Sequence, residues 1–253
     1  MDGANDKYIL QSVGNALDIL DLLTEHEELS VPEVSRLTGL GKSSVFRLLA
    51  TLESRNYVRK TENAKYRLDI KLTAMGNTVL NRMEIINYAH PHLMELTRVS
   101  GETSHLVIWD RGTNVRFVDK VLSSSMIRMD SWVGFCRTAH LLGSGKALLA
   151  FQSEQFRRTY MNMVDFSPMT PNSIVTAARL EEVLAQIREQ GYACDDEESE
   201  IGLYCLAAPI RDMNGDVVAA VSISGPAERM KENRDKNIAL VKQTAQDITK
   251  SIS

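Results

Sequence analysis

The chain is poor in cysteine, proline and aromatic residues and has no long apolar run, and each shortage removes a class of protein. Its three cysteines, Cys136, Cys194 and Cys205, form an odd set with no CxxC spacing. That excludes a disulfide framework or a zinc finger and suits a reducing cytoplasm, the expected location. No stretch is apolar enough for long enough to span a bilayer, and the polar Met1–Lys7 end lacks a secretory leader pattern, so no membrane partner is expected. Neither sign of charge dominates, with 29 Lys and Arg against 33 Asp and Glu. A chain-wide coat of nucleic acid is therefore excluded, and any DNA contact must come from a local patch. The 253 residues, 43% apolar, suffice for two packed domains.

Such a patch is present. Between Arg36 and Lys71 the cations Arg36, Lys42, Arg47, Arg55, Arg59, Lys60, Lys65, Arg67 and Lys71 face only Glu53, Glu62 and Asp69. The same stretch reads as two short helices and a hairpin. Ser30 and Glu33 stand at capping-box spacing, with Pro32 in the first turn. Val34 and Leu37 give that helix a small apolar face before Thr38-Gly39-Leu40-Gly41 breaks it. The next helix, Lys42 to about Arg55, carries Val45, Leu48, Leu49 and Leu52 on one side. Ser43, Arg47, Ala50 and Ser54 fall on the other, flanked by Ser44 and Thr51. Short polar residues around an arginine suit a helix lying in a DNA major groove. Asn56 can take the left-handed conformation that ends a helix. Tyr57–Lys60 and Lys65–Leu68 then read as two strands of a basic wing placed for phosphates.

Around this stretch the pattern is regular. A first helix is expected over Ser12–Glu25, with Val13, Ala16, Leu17, Leu20 and Leu23 inward. Asp69 can cap a helix bearing Leu72, Met75, Val79, Met83 and Ile86, part of whose stripe would serve a dimer contact, though core packing within one chain would explain it as well, and a further helix carries Leu93, Leu96 and Val99. From Thr103 the period becomes alternating: strands are expected at 103–109, 115–122 and 126–130. Helices follow at 143–150, 154–163 and from Thr176 to Gly191. Strands 203–210 and 217–224 flank an Asn214-Gly215 turn, and a last helix covers 233–252. The fold class is α+β, with a largely antiparallel sheet carrying helices.

Taken in order, QSVGNALDIL, LTGLGKSSVFRLLATLESRNYV, KYRL with LTAMG, HLLGSGKALLA, EQGYACDDEESEIGLYCLAAPI and AAVSISGP make the chain resemble the IclR (isocitrate lyase regulator) family of bacterial transcription factors over nearly its whole length. Asn56 stands where that family usually has glycine. The resemblance implies a winged helix-turn-helix domain over 1–70 (helix-turn-helix about 33–52), a linker helix over 71–88 and a GAF/profilin-like effector-binding domain over 89–253. It also implies a dimer or dimer of dimers on a pseudo-palindromic double-stranded operator. The expected DNA contacts are Lys42, Ser43, Ser44, Arg47, Thr51, Lys65 and Arg67.

By resemblance, the effector site falls on Gly143, Ser144, Asp195, Cys205, Ser222 and Ser224. The residues fit that role physically. Ser222 and Ser224 are two apart on a strand and share a face, and Gly143 and Ser144 open a helix whose free N–H groups suit a carboxylate. Met126 and Met129, with Trp132 and Phe135, would form an apolar wall. Other chemistry fits less well. Gly143-Ser144-Gly145-Lys146 lacks the leading glycine and the Ser/Thr of a phosphate loop, since His140 and Ala147 stand there. Lys146 then makes a structural ion pair. Cys136, His140, Cys194, Asp195 and Cys205 have no zinc spacing, and a Ser222/His140/Asp195 triad has no Gly-x-Ser-x-Gly turn. The chain is thus read as a regulator and not an enzyme, without cofactor or metal. The expectation is a repressor of a catabolic operon, responsive to a sugar acid or other small carboxylate. An activator of the same class is the alternative, and a small-acid-binding enzyme whose helix-turn-helix only touches protein is the runner-up.

Overall fold

The computed structural model of the chain describes residues 9–252, so the Met1–Lys7 end lies outside the described residues. Two compact units make up the chain, one ending at Arg82 and the other beginning at Met83.

The first unit runs α1 (Gln11–Glu25), α2 (Val31–Thr38), α3 (Lys42–Ser54), β1 (Val58–Lys60), β2 (Tyr66–Leu68) and α4 (Lys71–Asn81). Its helix ends follow the local chemistry. The Ser30 N–H donates to the Glu33 carboxylate at 2.8 Å to open α2, and Gly39 closes it at φ 73°. Asn56, at φ 60°, turns the chain out of α3. β1 and β2 pair antiparallel, and Leu29 exchanges both backbone hydrogen bonds with Tyr66 at 2.8 and 2.9 Å. The wing is thereby fastened to the helices. Ile19, Leu23, Val34, Val45, Leu49, Leu52, Val58 and Tyr66 form the core beneath it; each fully buried leucine there contributes about 1.5–3 kcal/mol.

Three expectations fail in this unit. On α1 the buried residues are Ile19 and Leu23, while Val13 and Leu17 are 52% and 55% exposed. Apolar residues lie nearly all round that helix, so periodicity alone could not choose the packed face. On α2, Leu37 is likewise at the surface. The single helix expected to run past Met83 is broken, because Met83 adopts an extended conformation (φ −90°, ψ 90°) where the second unit begins. α4 itself buries none of its residues, and Ile70, Met75 and Val79 stand exposed.

The second unit runs α5 (Glu84–Ser100), β3 (Thr103–Trp109), β4 (Asn114–Val121), β5 (Cys136–Thr138), a short 3-10 turn, α6 (Gly143–Ala150), α7 (Glu154–Met163), α8 (Ala177–Gln190), β6 (Ala193–Asp196), β7 (Leu203–Arg211), β8 (Val217–Pro226), α9 (Ala227–Glu232) and α10 (Arg234–Ser251). Its six strands form an antiparallel sheet in the order β5-β4-β3-β8-β7-β6. The β7–β8 hairpin turns at Gly215, φ 84°, as the Asn-Gly pair predicts. Strand alternation divides the sheet into two faces. Ser104 turns toward α5 and donates to the Leu93 carbonyl at 3.0 Å, on the side packed by α5 and α10. The opposite face carries Val107, Phe117, Ala207 and Ala220 against Ala147 and Leu148 of α6 and Leu180 and Leu184 of α8.

The strand expected at 126–130 is absent. That segment forms no ladder; it is held instead by side chains of the sheet, Thr103 Oγ donating to the Met129 carbonyl at 3.2 Å and Lys120 Nζ to the Ser131 carbonyl. β5 takes the edge beside β4. The acidic run Asp195-Asp196-Glu197-Glu198 begins on β6, with Asp195 only 1% exposed.

Candidate nucleic-acid interface and effector site

On α3, Lys42, Ser43, Ser44, Arg47 and Thr51 are all exposed, while Val45, Leu49 and Leu52 are buried. The apolar spacing turns one side of the helix into the core and so forces the polar side outward. The Thr51 hydroxyl donates to the Arg47 carbonyl at 2.8 Å, which leaves Arg47 and Lys42 as the extended cations of that face. Phe46 is also 53% exposed there, an apolar surface residue that the polar reading of this helix passed over. In the wing, Arg59 and Lys60 are exposed. Lys65 is 3.4 Å from Glu28, so part of its charge is already answered. Arg67 is half-buried, with its Nε enclosed and unpartnered. Lys71 is committed locally, donating to the Arg55 carbonyl at 2.8 Å and lying over the Tyr57 ring.

In the second unit, register brings most of the expected effector residues onto one face. Asp195 pairs with Cys205, and Cys205 with Ser224. Ser224 also pairs with Thr103, and Ser222 with His105 on one side and Ala207 on the other. Directly paired antiparallel residues share a face, so the row is continuous across β6, β7, β8 and β3. Gly143 approaches from above: a Cβ there would lie 3.3 Å from both the Asp195 nitrogen and the Cys205 sulfur. Glycine permits the N-terminus of α6, with Ser144 buried beside it, to sit directly on this row. No side chain caps that terminus, so its first N–H groups and the helix dipole favour an anion.

Each buried polar group has a definite state. Asp195 accepts from the Glu198 N–H at 2.8 Å and the Ser199 hydroxyl at 2.7 Å, which shapes the acidic loop. Burial pushes the Cys205 thiol up to about 12 and the His105 imidazole down to about 3. Neither is charged near neutral pH. His105 Nε2 meets the Ser131 hydroxyl at 2.8 Å, and its ring stands edge-on to Phe117. The Ser222 hydroxyl and His105 Nδ1 are buried without a partner. His105, Lys120 and Ser131 were not among the residues expected here. Parity along β3 turns His105, with Thr103 and Val107, away from the α5-facing side, but no spacing in the sequence brings Ser222, Lys120 or Ser131 to it.

A cavity of about 480 Å³ opens outside this row, lined by Met129, Ser131, Trp132, Phe135, Leu203 and Gly225 among others. The predicted polar residues do not line it; Ser131 does, and its hydroxyl meets His105 Nε2 at 2.8 Å. Met126 is fully exposed and takes no part.

The rival chemistries find no geometry. Lys146, fully buried, is 2.5 Å from both carboxylate oxygens of Glu198. His140 Nδ1 is bound to the Tyr160 hydroxyl at 2.9 Å and makes no hydrogen bond to Asp195, so no triad forms. Among the described residues no cluster of His, Cys, Asp and Glu is placed to hold a metal ion, and no helix is long and apolar enough to cross a membrane.

Comparison with known proteins agrees with both halves of this description. Residues 12–62 match the family model described as the IclR helix-turn-helix domain. Residues 77–250 match that of the bacterial transcriptional regulator IclR C-terminal domain. The HTH-type transcriptional regulator XynR of Escherichia coli strain K12 is 37% identical, with 88% of each chain covered. The transcriptional repressor IclR of the same organism is 31% identical, covering 95% of this chain and 89% of its own. The crystal structure of the Thermotoga maritima IclR superposes with a TM-score of 0.77 at 34% identity, covering 96% of this chain and 98% of that one.

Proposed function

The chain belongs to the IclR family of DNA-binding transcriptional regulators, and from that premise we propose that it represses a catabolic operon under the control of a small carboxylate effector. The observation that carries the DNA half is the exposed face of α3, where Lys42, Ser43, Ser44 and Arg47 stand clear of the core beside the cations of the wing. In this reading Arg47 reads a base edge and Lys42, Lys65 and Arg67 hold the backbone. The uncovered apolar residues Ile70, Met75 and Val79 support a dimer through α4, which would set two recognition helices on the half-sites of a pseudo-palindrome. Repression rather than activation is supported by relatives such as the E. coli transcriptional repressor IclR.

The effector half rests on the uncapped N-terminus of α6 over a buried polar row, a seat for a carboxylate at Gly143 and Ser144 with Ser224 and Cys205 beneath. Segment 126–131 is tied to the β3 end of the row through Met129 and Ser131, and a ligand entering there would have to displace it. To act at all, the ligand must bind the DNA-competent and incompetent forms unequally. Fluorescence anisotropy of the full chain on duplexes from its own upstream region tests this reading. Expected is a salt-sensitive preference for one segment over scrambled duplex, shifted by a sugar acid or an oxo-acid. Equal affinity for specific and scrambled DNA at every salt concentration would overturn it.

A further inference from the structure

A single apolar side chain at a protein surface is ordinary; one set among cations, on a helix that has already buried its apolar side, is informative. α3 buries Val45, Leu49 and Leu52 and packs Leu48 against the same core. Phe46 joins neither group and is 53% exposed. One turn before it on the helix surface stand Lys42 and Ser43, and Arg47 follows it, all three exposed. Among the described residues no other ring and no cation lies against the phenyl group.

The charge around the ring decides what covers it. A second copy of the chain meeting this face with its own would set Lys42 and Arg47 of the two copies against each other, like charge on like. A polyanion answers those charges instead. Within a duplex the choice is narrower still. A phenyl ring neither donates nor accepts a hydrogen bond, so it reads neither a phosphate nor the polar edge of a base. The apolar group that the major groove presents is the C5 methyl of thymine.

We propose that Phe46 is a specificity-determining residue of α3, packing its ring on the C5 methyl of a thymine in the half-site and so adding an A·T requirement beside the base edge read by Arg47. This rests on the reading of α3 as the helix that enters the major groove. Two neighbouring side chains then divide the recognition by chemistry. Arg47 donates to acceptors on a base edge, and Phe46 removes a methyl group from water. The ring contributes nothing to holding the backbone, so its loss should leave affinity for scrambled duplex where it was.

Uracil in place of thymine removes that methyl and keeps every hydrogen-bonding group of the base pair. The test measures competition for the full-length protein between the preferred segment of its own upstream region and copies in which each thymine is replaced in turn by uracil. Expected for the wild type is a loss of about fourfold at one thymine of the half-site, the worth of one buried methyl group. Phe46→Ala should bind the preferred duplex no better than the wild type binds its uracil form, bind scrambled duplex unchanged, and no longer distinguish the two bases. Phe46→Leu should keep part of the discrimination. Arg47→Ala, weaker on the preferred duplex, should still distinguish them. The proposal is overturned if no thymine is sensitive, if the sensitive one stays so in Phe46→Ala, or if Phe46→Ala and Phe46→Leu both weaken preferred and scrambled duplex alike. A change in the mass of the free protein on Phe46→Ala, read by light scattering, would seat a second copy on the ring and overturn it too. A wild type that prefers no duplex at all is a separate failure, which removes the DNA reading of α3 and this proposal with it.

Discussion

The two units place their polar side chains in opposite positions. In the first, an apolar core leaves Lys42, Ser43, Ser44 and Arg47 in water. In the second, Thr103, His105, Asp195, Ser222 and Ser224 are turned inward, none more than 3% exposed. The difference follows from the partner each unit is read to meet. A polyanionic duplex is larger than the domain and meets charges that remain hydrated until contact. A small ligand must be enclosed, and its contacts count only if the dipoles are already fixed where water cannot compete. Stability of the second unit should therefore depend on buried polar groups, and that of the first should not.

The largest expected effect tests this directly. Lys146→Ala strands Glu198 beside an empty cation site in the interior and should cost about 3–5 kcal/mol, whereas a paired Lys146→Met, Glu198→Leu replacement should recover most of it. The exposed wing change Lys60→Ala should move stability by no more than about 0.5 kcal/mol. Denaturant unfolding followed by tryptophan fluorescence measures the first, because Trp109 and Trp132, the chain's 2 tryptophans, both lie in the second unit. A Lys146→Ala loss below about 1 kcal/mol would erase the contrast.

Acid sharpens the comparison next. Burial lowers His105 to about 3 and His140 to about 4, against 6.5 unfolded. Below pH 6.5 the unfolded chain takes up protons that the folded one refuses, so stability is full above that pH and falls as pH drops toward 4. Each histidine contributes a slope of up to about 1.4 kcal/mol per pH unit in that window. Glu198 opposes this, since burial raises its carboxyl and favours the folded form as pH falls toward 4.5; Glu198→Gln should steepen the loss. The first unit's only histidine, His26, is exposed. Its Glu33, held low chiefly by the Ser30 hydroxyl, loses its contribution only as pH falls below 4.5. Tryptophan fluorescence should therefore report unfolding at a higher pH than loss of the α1–α3 helices by hydrogen exchange.

These contrasts also explain what could be read in advance. α2, α3 and the wing were legible because each boundary has a local cause: Ser30 with Glu33, Gly39, and Asn56. The parity of Ser222 and Ser224 was legible for the same reason, since alternation along one strand is a local property. What was missed depends on contacts distant in sequence. The ladder that places His105 beside Ser222 joins residues more than a hundred positions apart, and no spacing within either strand announces it. Segment 126–130 was read as a strand, yet its Ile127 and Met129 carbonyls are claimed by the Arg229 and Thr103 side chains. The packed side of α1 was undecidable because Val13, Leu17, Ile19 and Leu23 offer more than one apolar stripe.

Within the first unit the smaller effects separate reading from holding. Arg47→Ala should lose about 1–3 kcal/mol on the preferred duplex and relax selectivity among sequences, measured by competition with single-base variants. Lys65→Ala should do less, and alike on every duplex, lowering the slope of log affinity against log salt by at most about 1. The structure argues for less than the full unit, because Lys65 already lies 3.4 Å from Glu28 and must give up that partner to meet a phosphate. Glu28→Ala should accordingly tighten binding and steepen the salt dependence, while Lys65→Ala in that background should show the full change of about 1. If Glu28→Ala leaves the slope unchanged, Lys65 holds the wing to the body of the domain and not the DNA, and the backbone contacts of the wing fall to Arg59 and Lys60.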